Sequence, residues 1–302
     1  MTNEVSEKIF QSQKEETSFD NVAFDLNYEI YDDPIMNLSF CGCGFLGIYQ
    51  LGVAYCLSRH GSGLLAKVER IAGSSAGSLI GAVLSIDRNL IADCVKFAYD
   101  LADEIHAQPL GVLTPKYSLM KSLEKFLDDK LPHNAHEMAS GRLYVSVTNM
   151  ESRRNETLSH FSSRQELVQC LLASSYIPIY AGLKPPVIRG KKYLDGGWTN
   201  NLPSFSEGRT IHVSPFAGWQ DICPADKLGR GIFVTFKEQT FQVNWKNFRR
   251  MHQALFPPSK ETLRSYFLKG QMDTERFLRQ EGCYESHKPR NSTITVRRET
   301  SL

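Results

Sequence analysis

Residues 71–77, I-A-G-S-S-A-G, set Ser75 between two glycines directly after a short apolar run. This is the pattern of a nucleophile elbow, in which a strand turns into a helix so sharply that the serine stands out alone, and bulk at Gly73 or Gly77 would collide with neighbouring chain. A serine hydroxyl is a poor nucleophile until a base takes its proton, so the chemistry needs a second group. Asp195 is one candidate, at the end of Y-L-D-G-G (residues 193–197) and backed by Gly196 and Gly197. Asp-Gly-Gly is often no more than a turn. His212 in T-I-H-V is another candidate, since Ser75, Asp195 and His212 follow the chain order of an α/β-hydrolase triad, although a histidine within a strand is more often structural. The chemistry also needs donors for an oxyanion. The turn G-C-G-F-L-G, residues 42–47, opens an apolar helix-like run, and backbone N–H groups at Gly42, Cys43 and Gly44 would be free to serve. By itself this turn satisfies G-x-G-x-x-G and fits a nucleotide loop or a bland turn as well, but Ile48 stands where a P-loop needs lysine. Beside a serine elbow on the next strand, an oxyanion hole is the better reading.

These groups require strands that deliver them and helices that follow. Residues 37–41 and 68–72 read as strands, and 48–60, 76–86, 89–106, 118–131 and 164–174 as helices. Residues 142–148 alternate as a strand that residues 157–161 could pair with, and further strands fall near 192–194, 210–213 and 231–236. Strands alternating with helices predict an α/β fold, a three-layer α/β/α sandwich around a central, mostly parallel sheet. The prolines at 178, 185 and 186 mark a loop ahead of Asp195 where a substrate rim could form.

In that order, G-C-G-F-L-G, G-S-S-A-G and D-G-G resemble the oxyanion loop, nucleophile elbow and catalytic aspartate of patatin-like phospholipases. With I-P-I-Y from Ile177, N-L-P from Asn201, V-S-P-F from Val213, D-I-C-P from Asp221 and A-L-F-P-P from Ala254, the likeness narrows to the adipose triglyceride lipase and adiponutrin branch. It runs from about residue 37 to about residue 282. The resemblance implies a Ser75–Asp195 dyad with Asp195 as general base, no metal and no organic cofactor. It implies neutral glycerolipid esters as substrates, triacylglycerol first among them, met at a lipid–water interface, and an α/β-hydrolase-domain co-activator as partner. Leu46 stands near the end of the glycine loop where many patatins carry a basic residue, which favours a neutral lipid over a charged head group. Few strand signals precede Ser75, which suits a patatin better than a triad hydrolase. A transacylase or phospholipase using the same dyad, and a low-turnover lipid-surface regulatory protein, are the alternatives.

Composition sets the remaining bounds. The 302 residues, 41% hydrophobic and 23% charged, suit a globular chain. No signal peptide or membrane span is legible, which predicts a cytoplasmic protein, and the resemblance implies peripheral association with lipid droplets or membranes. Seven cysteines without C-x-x-C spacing suit reduced thiols. Residues 1–33 carry nine acids against two lysines, whereas residues 225–302 carry 15 Lys and Arg against eight acids. Residues 1–36 thus read as an acidic, disordered extension, 37–236 as the catalytic domain, 237–283 as basic amphipathic helices packed on the domain or on a lipid surface, and 284–302 as a polar basic tail. The helical candidates 244–255 and 261–279 interleave Lys246, Arg249, Arg250, Arg264, Lys269, Arg276 and Arg279 with apolar stripes. No compact basic run or reading module points to nucleic acid.

Overall fold

The computed structural model describes residues 35–115, 117–226, 231–236 and 239–286. Nearly all of the acidic extension and most of the basic tail lie outside the described residues. Along the chain run β1 (Met36–Phe40), α1 (Gly47–His60), α2 (Ser62–Ala66), β2 (Val68–Ser74), α3 (Ala76–Ile86), α4 (Ile91–His106), α5 (Leu119–Lys130), α6 (Ala135–Ala139), β3 (Leu143–Asn149) and β4 (Asn155–Leu158). Then follow α7 (Arg164–Ser174), β5 (Val187–Ile188), β6 (Lys191–Asp195), β7 (Arg209–Val213), β8 (Phe233–Phe236), β9 (Gln239–Gln242), α8 (Trp245–Leu255) and α9 (Lys260–Gln280).

The main sheet has the order β5-β6-β3-β2-β1-β7, with β4 also on β3. The strands β3, β2, β1 and β7 are parallel, while β4 and β6 run antiparallel to β3. This is a mixed sheet of mostly parallel strands flanked by helices, consistent with the three-layer expectation. Residues in register share a face. Leu38, Ile71, Leu143 and Ile211 therefore point one way, into the core that α1, α3, α7 and α9 cover. Asn37, Ser39, Tyr144 and His212 point the other way, under the segment that follows β6. There Glu207 accepts a hydrogen bond from Asn37 through its carbonyl, and Phe205 packs edge-on against Tyr144.

β4 occupies one edge of β3 from Val145 to Thr148, so β2, opposite Leu143–Ser146, and β6, opposite Val147–Asn149, must share the other edge end to end. β2 stops at Ser74 opposite Ser146, and β6 ends at Asp195 opposite the next residue, Val147. That arrangement brings the elbow and the Asp-Gly-Gly turn together.

α1 is buried on nearly every side because α9 lies across it. A Cβ on Gly52 would stand 2.1 Å from the carbonyl oxygen of Phe267, and one on Gly270 only 2.0 Å from that of Tyr49, so the two helices touch backbone to backbone. Asp273, wholly buried in this seam, accepts from the Tyr49 hydroxyl (3.0 Å) and pairs with Lys269 and Arg276.

The structure departs from the sequence expectation in three places. The strand expected at 231–236 is β8, and it leaves the main sheet to pair with β9 in a separate ribbon. The short α2, α6 and β5 carry too few residues for a periodic signal. Arg250, read as one of the basic residues interleaved with the apolar stripe of an amphipathic helix, is buried and holds Asp226 through two bonds of 2.7 and 2.9 Å. Among the described residues no helix is long and apolar enough to cross a membrane.

Candidate active site

β2 ends in the elbow. Ser75 sits at φ 52°, ψ −128°, a strained conformation for a residue with a side chain, between β2 and α3. The turn is as tight as its glycines imply, since a Cβ on Gly73 would lie 2.4 Å from the carbonyl of Gly77, and one on Gly77 2.2 Å from the carbonyl oxygen of Phe40. Two serines fix the strained residue. Ser75 donates its N–H to the Ser174 hydroxyl (2.8 Å), which itself donates to the Ser146 carbonyl (2.7 Å), while Ser78 donates both its N–H and its hydroxyl to the Ser75 carbonyl.

Asp195 lies at the same level and is 5% exposed. It accepts from the Gly197 N–H (2.7 Å) and, at 3.4 Å, from the Ser74 hydroxyl, bonds that with the nearby Ser75 hydroxyl favour its charged form. Burial dominates these bonds and pushes its pKa up to about 6. Gly196 is required because a Cβ there would meet the Ser146 carbonyl at 2.3 Å. His212 takes no part in this group. Its ring lies on the polar face of the sheet, 2.8 Å from the Ser204 hydroxyl and 3.7 Å from Asp221.

The glycine loop follows β1 and runs beside the elbow, placing a would-be Cβ of Gly42 at 3.2 Å from Ser75 Cβ. The Gly42 N–H is already donated to Asn201, to both its side-chain oxygen (3.1 Å) and its carbonyl (3.2 Å). The donors that the loop can offer an oxyanion are therefore those of Cys43 and Gly44, whose N–H groups meet no acceptor among the described residues. Gly44 adopts φ 51°, and a side chain there would run into the Ala254 carbonyl at 2.0 Å. The Cys43 thiol is buried, which pushes its pKa well above the usual value and keeps it neutral. Each of the seven cysteines is free.

Two positioning residues were not read as such from the sequence, Asn201 entering only within the N-L-P segment and Ser174 only as the last residue of a helix. Asn201 clasps the loop to the segment behind Asp195 and donates to Gln239 (2.7 Å). Ser174 ends a helix remote in sequence from the elbow. No spacing rule connects either residue to Ser75, so only the fold brings them there.

Ser75 and Asp195 line an apolar cavity of about 590 Å³. Leu79, Ile80 and Val83 of α3, Cys94, Phe97 and Leu101 of α4, and Leu123, Phe126 and Leu127 of α5 form its inner wall, and Trp198, Phe236, Met251 and Leu255 also line it. Each of the three helices contributes residues at spacings of three and four, so their apolar stripes line the cavity as well as packing on one another. Phe97 and Phe126 stack at 4.2 Å and join α4 to α5. The α5 wall from Leu119 to Leu131 is about 18 Å long at 1.5 Å per residue.

Residues 38–206 match the family model of patatin-like phospholipases. Over 250 residues, 83% of this chain and 99% of its own length, the human patatin-like phospholipase domain-containing protein 4 is 46% identical. The human patatin-like phospholipase domain-containing protein 2 is 40% identical over 84% of this chain and 50% of its own length, and a human 1-acylglycerol-3-phosphate O-acyltransferase 35% identical over 84% and 52%. The chain thus spans nearly all of the first relative and about half of the other two. With these matches spanning the elbow, the glycine loop and the Asp-Gly-Gly turn, the chain belongs to the patatin-like phospholipase family.

Proposed function

We propose that the chain is a serine acyl hydrolase that cleaves fatty-acyl esters of neutral glycerolipids, triacylglycerol first among them, through a Ser75–Asp195 dyad. The observation that carries this reading is the meeting of a strained serine with a buried carboxylate on the wall of a long apolar cavity.

In this mechanism the Ser75 hydroxyl attacks the ester carbonyl carbon as its proton passes to Asp195. The N–H groups of Cys43 and Gly44 hold the oxyanion of the tetrahedral intermediate, each contributing about 3 kcal/mol. As the intermediate collapses, the glycerolipid alkoxide leaves with the proton from Asp195. A water then gives its proton to Asp195 and attacks the acyl-enzyme, releasing the fatty acid and restoring Ser75. The acyl chain lies between α3, α4 and α5. The α5 wall matches the roughly 15 Å that one acyl chain spans in half a bilayer core.

The charge of the cavity supports a neutral lipid. Lys130 is the cation among its lining residues, and it sits at the end of α5, bonded to Asp93 at 2.8 Å. Leu46, where a basic residue would serve a phosphate, is wholly buried.

Transfer of the acyl group to a lipid alcohol instead of water is a second reading, favoured by the relative whose name describes an O-acyltransferase. The test is product analysis on a panel of triacylglycerol, diacylglycerol and phospholipid, with and without 1-acylglycerol-3-phosphate as acceptor, for the parent and Ser75→Ala. Release of fatty acid from triacylglycerol by the parent alone is expected. A folded Ser75→Ala protein with undiminished hydrolysis would sink the dyad, and acyl transfer in excess of hydrolysis would favour the second reading.

A further inference from the structure

α8 is turned inside out relative to its sequence. Its apolar stripe faces solvent, with Trp245 77% and Phe248 60% exposed and their rings stacked at 5.3 Å. Its buried side is polar. Asn247 bonds the backbone of Ala217 in both directions and the carbonyl of Gln242, and Arg250 is locked to Asp226. These satisfied buried groups fix the rotation of the helix, because turning it inward would leave a charge and an amide without partners. The outward apolar face is thus built into the fold and is not a loose fit.

The stripe continues into the cavity. Met251 and Leu255, further along the same face, line the cavity that holds Ser75, and they are joined there by Phe236 of β8, 60% exposed. Exposed Lys246 and Arg249 lie on the flank of the stripe, and α8 carries no acidic residue. We propose that this face of α8 docks on an anionic phospholipid surface and seats the cavity mouth against it. A lipid partner fits better than a folded one, because an apolar path leads from the stripe to Ser75 and a lipid following it would cross no water. The inference rests on the acyl-ester reading of the cavity for its purpose, but the docking itself does not depend on turnover.

The test is sedimentation with phosphatidylcholine vesicles, with and without phosphatidylserine, alongside hydrolysis of a soluble short-chain ester. Trp245→Ser with Phe248→Ser should lower partitioning about 100-fold, on the order of tenfold per ring, and leave the soluble-ester rate unchanged. Lys246→Gln with Arg249→Gln should lower adsorption only where phosphatidylserine is present. Ser75→Ala should adsorb like the parent, so a dead enzyme that still binds vesicles separates failure of the chemistry from failure of docking. Trp245→Phe should retain adsorption, and circular dichroism checks the fold of each variant. Equal adsorption by the folded double serine variant would overturn the proposal. So would a parent that self-associates through this face, shown by a dimer that the same variant abolishes without any change in vesicle binding.

Discussion

In the proposed dyad Asp195 is under opposed demands, since burial disfavours its charge while a base must carry that charge to act. With its pKa raised from 3.8 to about 6, the kcat/KM for a soluble ester should rise as pH passes through about 6 and level off above it. A profile flat from pH 5 to 8 would remove Asp195 as the base. The same shift has a stability consequence of definite sign. The folded-state pKa lies above the unfolded one, so the stabilisation it brings is full below about pH 4 and is lost as pH rises through about 6, an effect of roughly 3 kcal/mol. Asp195→Asn should therefore be nearly inactive yet more stable than the parent at pH 8, by up to that amount, with the difference vanishing near pH 4. Urea denaturation at the two pH values checks it, and equal stability at pH 8 would show that burial is not what raises the pKa. Ser174→Ala removes the acceptor for the Ser75 N–H, leaving the strained elbow less fixed. We expect kcat to fall on the order of tenfold with KM little changed, because a misplaced nucleophile costs the transition state and not binding.

At the level of elements, the channel between α3, α4 and α5 should set acyl length. Leu123→Trp on α5 would fill it, so hydrolysis of a long-chain ester should fall at least tenfold relative to a short-chain one, measured across a series of p-nitrophenyl esters. Parallel loss on all lengths would show that the acyl chain lies elsewhere. The positions of α3 and α7 were legible in the sequence. An elbow fixes where α3 begins, and the helical pattern of residues 164–174 gave α7, which the structure shows capped by Ser163 accepting from the Glu166 N–H at 3.1 Å. The glycines around Ser75 and Asp195 were legible because close backbone approach is a hard constraint written as a missing side chain. The rotation of α8 was not legible: periodicity reveals that a stripe exists but not which way it faces, and the deciding partners, Ala217, Asp226 and Gln242, come from other segments. Nor was the engagement of the Gly42 N–H by Asn201, 159 residues away, which no local pattern encodes.

Across the whole molecule, α9 encloses α1 and so completes the core behind the glycine loop. Gly270→Val would drive a branched side chain into the Tyr49 carbonyl and prise the two helices apart. We expect a loss of at least 3 kcal/mol and a drop in Tm of about 10 °C, read by thermal denaturation. An unchanged Tm would mean that the seam is not tight. The end-to-end placement of β2 and β6 along one edge of β3 has a bearing on tolerance to insertion and deletion. Ser75 and Asp195 are separated by 120 residues of chain, yet β3 spaces both of them like marks on one ruler. Residues added in the turn at 150–154 or the loop at 175–186 change the path between them but not those marks. Removing a single residue within Lys191–Leu194 would instead slip β6 by one position and turn the Asp195 carboxylate to the opposite face of the sheet.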